Sequence, residues 1–121
     1  MKLCVTSYGS DLESKVDPRF GRCDYFIIVD TDLMSYEAIN NPAGQSGGGA
    51  GIQSGQLVAD KKCEAVLTGA VGPNAFQVLN AAGIKVFTGA SGTVRESIEK
   101  FKKGEYNSTD KATAEPHSGM K

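Results

Sequence analysis

The sequence predicts an α/β domain with three layers, α/β/α, built around a mixed five-stranded sheet. Three observations predict it. Strand-like and helix-like segments follow one another in the order βββαβαβα. Asp30-Thr31-Asp32, between the second and third strands, is too short for a crossover, so those strands should run antiparallel. The two later βα units call for parallel strands joined by right-handed crossovers, which places helices on both faces.

Residues 2–7 (Lys-Leu-Cys-Val-Thr-Ser) read as a short buried strand. Tyr8 to Arg22 carries Gly, Ser, Asp and Pro without periodicity and reads as a loop of about fifteen residues, a length usually associated with function. Tyr25 to Val29 is the second strand, and Met34 to Ile39 alternates apolar with polar residues as the third. Asn40 to Gly51 is too rich in glycine to lie inside a helix or strand. A helix is expected over residues 52–62, where Ile52, Leu57, Val58 and Ala59 form an imperfect stripe, followed by a strand over 64–68.

The next helix has the clearest boundaries. Pro73 suits the first helical position, where its missing N–H costs nothing. Ala75, Val78, Leu79 and Ala82 repeat at i, i+3, i+4 and i+7, and Gly83 is placed to end the helix in the left-handed region. Residues 84–88 make the fifth strand. Thr93 and Glu96 have the spacing of a capping box, Val94, Ile98 and Phe101 give an apolar stripe, and Gly104 closes the helix. Glu96–Lys100 and Glu99–Lys103 have the spacing of i,i+4 ion pairs. Residues 1–104 are therefore expected to form one domain. Residues 105–121, with almost nothing to bury, are expected to be a disordered tail.

Composition excludes several function classes. The 121 residues suffice for one core. Thirteen Lys plus Arg against fourteen Asp plus Glu leave a net charge of −1, so the basic footprint that nucleic-acid binding requires is missing. The longest apolar run, around Phe26 to Val29, falls far short of the ~20 residues of a membrane span. The amino-terminal residues enter a strand pattern directly, without the apolar stretch of a secretion signal. Three widely spaced cysteines, Cys4, Cys23 and Cys63, fit neither a disulfide framework nor a zinc knuckle. A cytoplasmic protein with reduced thiols is expected, with neither membrane nor nucleic acid as partner.

Three segments could carry chemistry. The glycine-rich loop, including Gly47, Gly48, Gly49 and Gly51, offers bare backbone at a helix N-terminus, which can hold an anion. It lacks the third glycine of a dinucleotide fingerprint and the Lys-Ser or Lys-Thr of a P-loop. Thr68-Gly69-Ala70-Val71-Gly72-Pro73-Asn74 leads from the carboxyl end of a strand into a helix, the edge where open α/β sheets bind ligands, although plain turn chemistry accounts for these residues equally well. Asp17-Pro18-Arg19-Phe20-Gly21-Arg22-Cys23-Asp24 places two guanidinium groups near a thiol. They would favour its thiolate and suit it to a soft metal or an anionic cluster, and the bland alternative is a surface turn. Cys4 and Cys63 read as small core residues, and His117 lies in the tail. The first strand carries no carboxylate and no serine sits in a nucleophile elbow, so catalysis finds little support and metal-dependent nuclease chemistry is rejected.

Phe20-Gly21-Arg22-Cys23 with Tyr25-Phe26, the loop running into Gly51-Ile52, Ala65-Val66-Leu67-Thr68-Gly69 with Gly72-Pro73-Asn74-Ala75, and Ala82-Gly83-Ile84-Lys85-Val86 resemble, as an ordered set over about residues 2–104, the dinitrogenase iron–molybdenum cofactor biosynthesis family. The resemblance implies a ribonuclease H-like fold without nuclease activity. It further implies a non-catalytic carrier that binds an iron–molybdenum cofactor or another metal–sulfur cluster and exchanges it with donor and acceptor proteins. Members commonly carry His just before the Phe-Gly pair, where this chain has Arg19. Coordination would then fall to Cys23, or be replaced by charge pairing with Arg19 and Arg22. One thiolate is too few for a stable four-thiolate site, so a labile site or one shared across a homodimer is expected. The residues expected to hold the cofactor are Arg19, Phe20, Gly21, Arg22, Gly47, Gly48, Gly49, Gly51, Gly72 and Asn74, with Cys23 on the metal. Two other readings stay open: a binder or enzyme for a small phosphorylated metabolite cradled by the glycine loops, and a protein–protein adaptor.

Overall fold

A computed structural model of the chain describes residues 1–42 and 49–113. Strands β1 (Lys2–Ser7), β2 (Tyr25–Asp30) and β3 (Tyr36–Asn40) are followed by helix α1 (Ala50–Asp60), β4 (Ala65–Leu67), α2 (Pro73–Ala81), β5 (Lys85–Phe87), α3 (Val94–Lys102) and β6 (Ser108–Thr109). They form one mixed sheet in the order β3-β2-β1-β4-β5-β6. β1–β2 and β2–β3 are antiparallel, whereas β1–β4 and β4–β5 are parallel. The hairpin and crossover logic of the sequence is thus realised.

The sheet has six strands, not five. Its extra member, β6, lies in the segment expected to be disordered, and it pairs antiparallel with Val86 and Phe87 at the edge of β5. The segment is poor in apolar residues, but Tyr106 packs against the core and the backbone supplies the ladder bonds. Thr113 then makes a two-bond tie to the turn before α2. Its N–H donates to the Val71 carbonyl at 2.9 Å, and its hydroxyl oxygen accepts from the Val71 N–H at 3.0 Å.

Strand alternation sorts the core into two layers. Cys4, Phe26, Ile28, Val66 and Val86 face Val58 of α1 and Ala75 and Leu79 of α2. Leu3, Val5, Ile27, Val29, Ala65 and Leu67 face Val94 and Ile98 of α3. Helices therefore cover both faces.

Local chemistry sets the boundaries. Thr93 and Glu96 close the capping box: the Thr93 side chain accepts from the Glu96 N–H at 3.1 Å, and Glu96 accepts from the Thr93 N–H at 2.9 Å. Glu96 reaches back to the cap, and neither it nor Glu99 closes the i,i+4 ion pair that the spacing allowed. α1 begins two residues earlier than the apolar stripe suggests, and it buries the small residues Ala50, Ser54 and Gly55 together with Val58.

Candidate functional site

The carboxyl ends of β1 and β4 open onto the Asp17–Cys23 turn. Thr6 at the end of β1 donates to the Asp17 carbonyl at 2.7 Å, and its Oγ1 lies 2.7 Å from Thr68 Oγ1. Its one proton is engaged with Asp17, so Thr68 is the donor between the two hydroxyls. The turn is stitched to the β4–α2 connection. The Ala70 N–H donates to the Pro18 carbonyl at 2.8 Å and the Phe20 N–H donates to the Ala70 carbonyl at 3.2 Å. Gly69 makes this approach possible, because a Cβ there would stand 2.6 Å from Pro18 Cα.

The same turn touches the start of α1. Gly21 has φ 97°, and a Cβ on it would come within 3.1 Å of Gly51 Cα. Gly51 in turn lies against Ala75 of α2, where an added Cβ would stand 3.2 Å from the Ala75 Cβ. Backbone of the turn, the N-terminus of α1 and the N-terminus of α2 therefore meet in one seam. Neither helix has a side-chain cap or an acidic residue in its first turn. On the opposite face α3 is fully capped and carries Glu96 in its first turn. The seam gathers the positive ends of two helix dipoles without the carboxylates that would normally offset them.

A buried polar network holds the seam. The Asn41 side-chain amide donates to the carbonyls of Gly21 (3.1 Å) and Cys23 (2.9 Å) and lies 3.7 Å from Cys23 Sγ. The Ser54 hydroxyl, on α1, approaches the Asn41 Oδ1 at 3.2 Å and the Gly21 carbonyl at 3.4 Å. The Asn41 backbone N–H donates to the Asp24 carbonyl at 2.9 Å. Asn41 and Ser54 were not among the residues singled out from sequence. The available signal was an Asn before Pro42 at the mouth of the glycine loop, and a polar Ser54 on an otherwise apolar buried face of α1.

The predicted residues divide. Gly21, Gly51 and Gly72 line or adjoin the seam, and Arg22, Gly49 and Asn74 are exposed around it. Gly47 and Gly48 lie outside the described residues. Phe20 turns inward: it is buried and stacks obliquely on Phe26 at 5.7 Å between ring centroids, so it belongs to the core. Arg19 is half-exposed and engages fully buried Asp17 through Nε–Oδ1 (3.2 Å) and Nη2–Oδ2 (3.3 Å) contacts.

Cys23 departs from expectation. The sequence suggests a thiolate beside two guanidinium groups, yet the side chain is fully buried and its thiol is pushed up to about 12. Burial is the main cause, the Asp17 carboxylate adds to it, and the Asn41 hydrogen bond offsets only part. The Arg19 charge is committed to Asp17. Among the described residues no group of three or more His, Cys, Asp or Glu side chains could hold a metal ion. Nor is any described helix long and apolar enough to cross a membrane.

The fold defines a small α/β domain with helices on both faces of a mixed sheet, and its candidate site is an edge where backbone amides and two helix ends meet. The chain belongs to the family described as dinitrogenase iron–molybdenum cofactor, whose model matches residues 1–104. It is similar to the apo form of the orange protein from Desulfovibrio gigas, with 41% identity and a TM-score of 0.88, covering 93% of this chain and 95% of that one. A protein from Thermotoga described as a NifB candidate is 37% identical at a TM-score of 0.78, over 88% and 91% of the two chains. An uncharacterized protein of Methanocaldococcus jannaschii is 31% identical over 94 residues, 75% of this chain and 80% of that one.

Proposed function

We propose that this chain is a non-catalytic carrier for a preassembled anionic metal–sulfur cluster of the iron–molybdenum cofactor type. The observation that carries this reading is the seam where the uncapped N-termini of α1 and α2 meet the Asp17–Cys23 turn through Gly21, Gly51 and Ala75. First-turn amides, the exposed Arg22 side chain and those guanidinium N–H groups of Arg19 that Asp17 does not engage can donate hydrogen bonds to sulfide or oxo ligands. The donor set fits a cluster that arrives assembled, because no multidentate cage of metal ligands stands among the described residues. Family membership points the same way, as does similarity to a protein named for its colour and solved in an apo form.

In this reading Cys23 is a structural thiol of the fold, and cargo is held by charge and hydrogen bonds. Such a site releases its cargo readily, as a carrier must. The chain would act in the cytoplasm between cluster donor and acceptor proteins. The test is anaerobic gel filtration of the full chain with a synthetic iron–molybdenum–sulfide cluster anion, followed by visible absorption and metal analysis. Co-elution that weakens in high salt and in Arg22→Ala supports the reading. If the cluster elutes separately while inorganic phosphate or a sugar phosphate raises the melting temperature, the ligand is a phosphorylated metabolite instead.

A further inference from the structure

Asp17 is the one carboxylate that lies fully buried among the described residues. Taking such a group out of water is costly, and an ion pair with a single half-exposed cation offsets only part of that cost. The chain nevertheless fixes it on every side. The Asp17 N–H donates to the Thr6 carbonyl at 3.1 Å, and its own carbonyl accepts from Thr6 Oγ1. Its Oδ1 accepts from the Arg19 backbone N–H at 3.0 Å, which closes the turn over Pro18.

Arg19 is held just as closely. Pro18 and Phe20, on either side of it, both bond to Ala70, so Arg19 and Ala70 face each other as a short parallel bridge. Ala70 stands just before Gly72, the N-cap of α2, which sets Arg19 beside one of the two uncapped helix ends. Its guanidinium meets Asp17 side-on, through Nε and Nη2. Asp17 takes one N–H from each of these nitrogens, which leaves both N–H groups of Nη1 and the second of Nη2. Among the described residues none accepts from that remaining edge. It offers two parallel donors in a fixed fork, on a side chain about half open to water.

We propose that Asp17 is a positioning residue for Arg19, and that the Nη1–Nη2 edge it presents grips two adjacent oxo or sulfido groups borne by one centre of the anionic cargo. In the carrier reading, on which this rests, that pair of acceptors is the feature of the cargo that Arg19 recognises. A guanidinium already ordered by its partner loses little rotamer freedom on binding. The Asp17 carboxylate also offsets the Arg19 charge. The contact therefore acts through direction, and long-range attraction is left to the helix ends.

The experiment titrates the full chain with the synthetic iron–molybdenum–sulfide cluster anion and, separately, with inorganic phosphate, which bears paired oxo groups without metal or sulfide. Each titration is run from low to high salt on the wild type, Arg19→Lys and Asp17→Asn. Arg19→Lys keeps a cation beside Asp17 but has no paired edge, so melting should stay near wild type while cluster affinity falls about tenfold. Asp17→Asn keeps an oxygen for the Arg19 N–H but no longer offsets the guanidinium charge. Its cluster affinity should fall more steeply with salt than that of the wild type, and should be the lower of the two at high salt. A loss in Asp17→Asn by one factor at every salt concentration is what a merely structural role gives, and it would overturn the proposal. Wild-type affinity in Arg19→Lys would overturn it as well, and in both cases cluster binding by the wild type leaves the carrier reading standing. If the wild type binds phosphate and not the cluster, the carrier reading fails, and the same variants decide the Arg19 edge on phosphate. Binding of neither anion overturns both.

Discussion

The side-chain nitrogen of Asn41 stands 2.9 Å from the carbonyl oxygen of Cys23. One buried amide thereby fixes the end of the Asp17–Cys23 turn, and through Ser54 it fixes that turn to α1. A buried carbonyl without a donor costs roughly 1–3 kcal/mol. Asn41→Ala strands the Cys23 carbonyl and leaves that of Gly21 only the Ser54 hydroxyl at 3.4 Å, so it should lower unfolding free energy by about 2–3 kcal/mol in urea titrations. Ser54→Ala, which removes a weaker partner, should cost about 1 kcal/mol. Equal, negligible effects of the two would show that the network does not hold the turn.

The glycine seam should respond to a single methyl group. Gly21→Ala meets both a left-handed φ and the Gly51 backbone, so a cost of about 1–3 kcal/mol is expected. Gly51→Ala has no such strain and meets only the Ala75 methyl at 3.2 Å. It should cost less stability while pushing the two helix N-termini apart and weakening cluster retention. Melting temperature and metal stoichiometry measured on the same samples separate the effects.

Arg19 and Arg22 should separate as well. Arg19→Ala leaves the fully buried Asp17 carboxylate without its cation. Water reaches the half-exposed guanidinium, so the cost should fall below that of a fully buried pair, at about 1–3 kcal/mol. Arg22 is exposed, and Arg22→Ala should lower cluster retention with a smaller change in melting. The reverse ranking in a denaturation series would remove the structural role given to the Arg19–Asp17 pair.

Truncation after Gly104 should destabilise the domain by about 1 kcal/mol, since it uncovers the surface under half-buried Tyr106 and removes the β6 ladder on β5. Thr113→Val keeps β6 but loses the hydroxyl partner of the Val71 N–H, so it should protect that amide less from hydrogen exchange without unfolding the strand. Identical melting of truncated and full chains would leave the tail without a structural part.

Where periodicity and punctuation coincide, as at Pro73–Gly83 and Thr93–Gly104, the sequence was sufficient to place the helices, because each boundary is written in one or two residues. β6 could not be read that way: its stability comes from pairing with Val86 and Phe87, which lie far off in sequence. The candidate site shows the same division. Gly51 was legible as bare backbone and Gly21 as part of the turn before Cys23, and their mutual contact was not. Cys23 misled for a physical reason. Adjacent arginines in sequence suggested a low-pKa thiol, but burial and the Arg19–Asp17 pairing, both consequences of tertiary structure, reverse the sign.

That reversed sign has a measurable pH dependence. Folding raises the Cys23 thiol from 9.0 to about 12. Between those values the unfolded chain releases a proton that the native chain keeps, so the unfolded state binds fewer protons and stability falls as pH rises. The contribution is intact below pH 9 and is lost progressively up to about 12, at a slope of up to about 1.4 kcal/mol per pH unit. Other groups titrate in this range, so the informative quantity is the difference from Cys23→Ala, whose cavity cost does not depend on pH. The urea midpoint of the wild type should fall more steeply than that of Cys23→Ala from pH 8 to pH 10.5, and Cys23 should resist thiol reagents in the native state at pH 8. Parallel pH profiles, or rapid labelling of Cys23 in the folded chain, would mean that the thiol is ionised and accessible, and would return it to the list of cluster ligands.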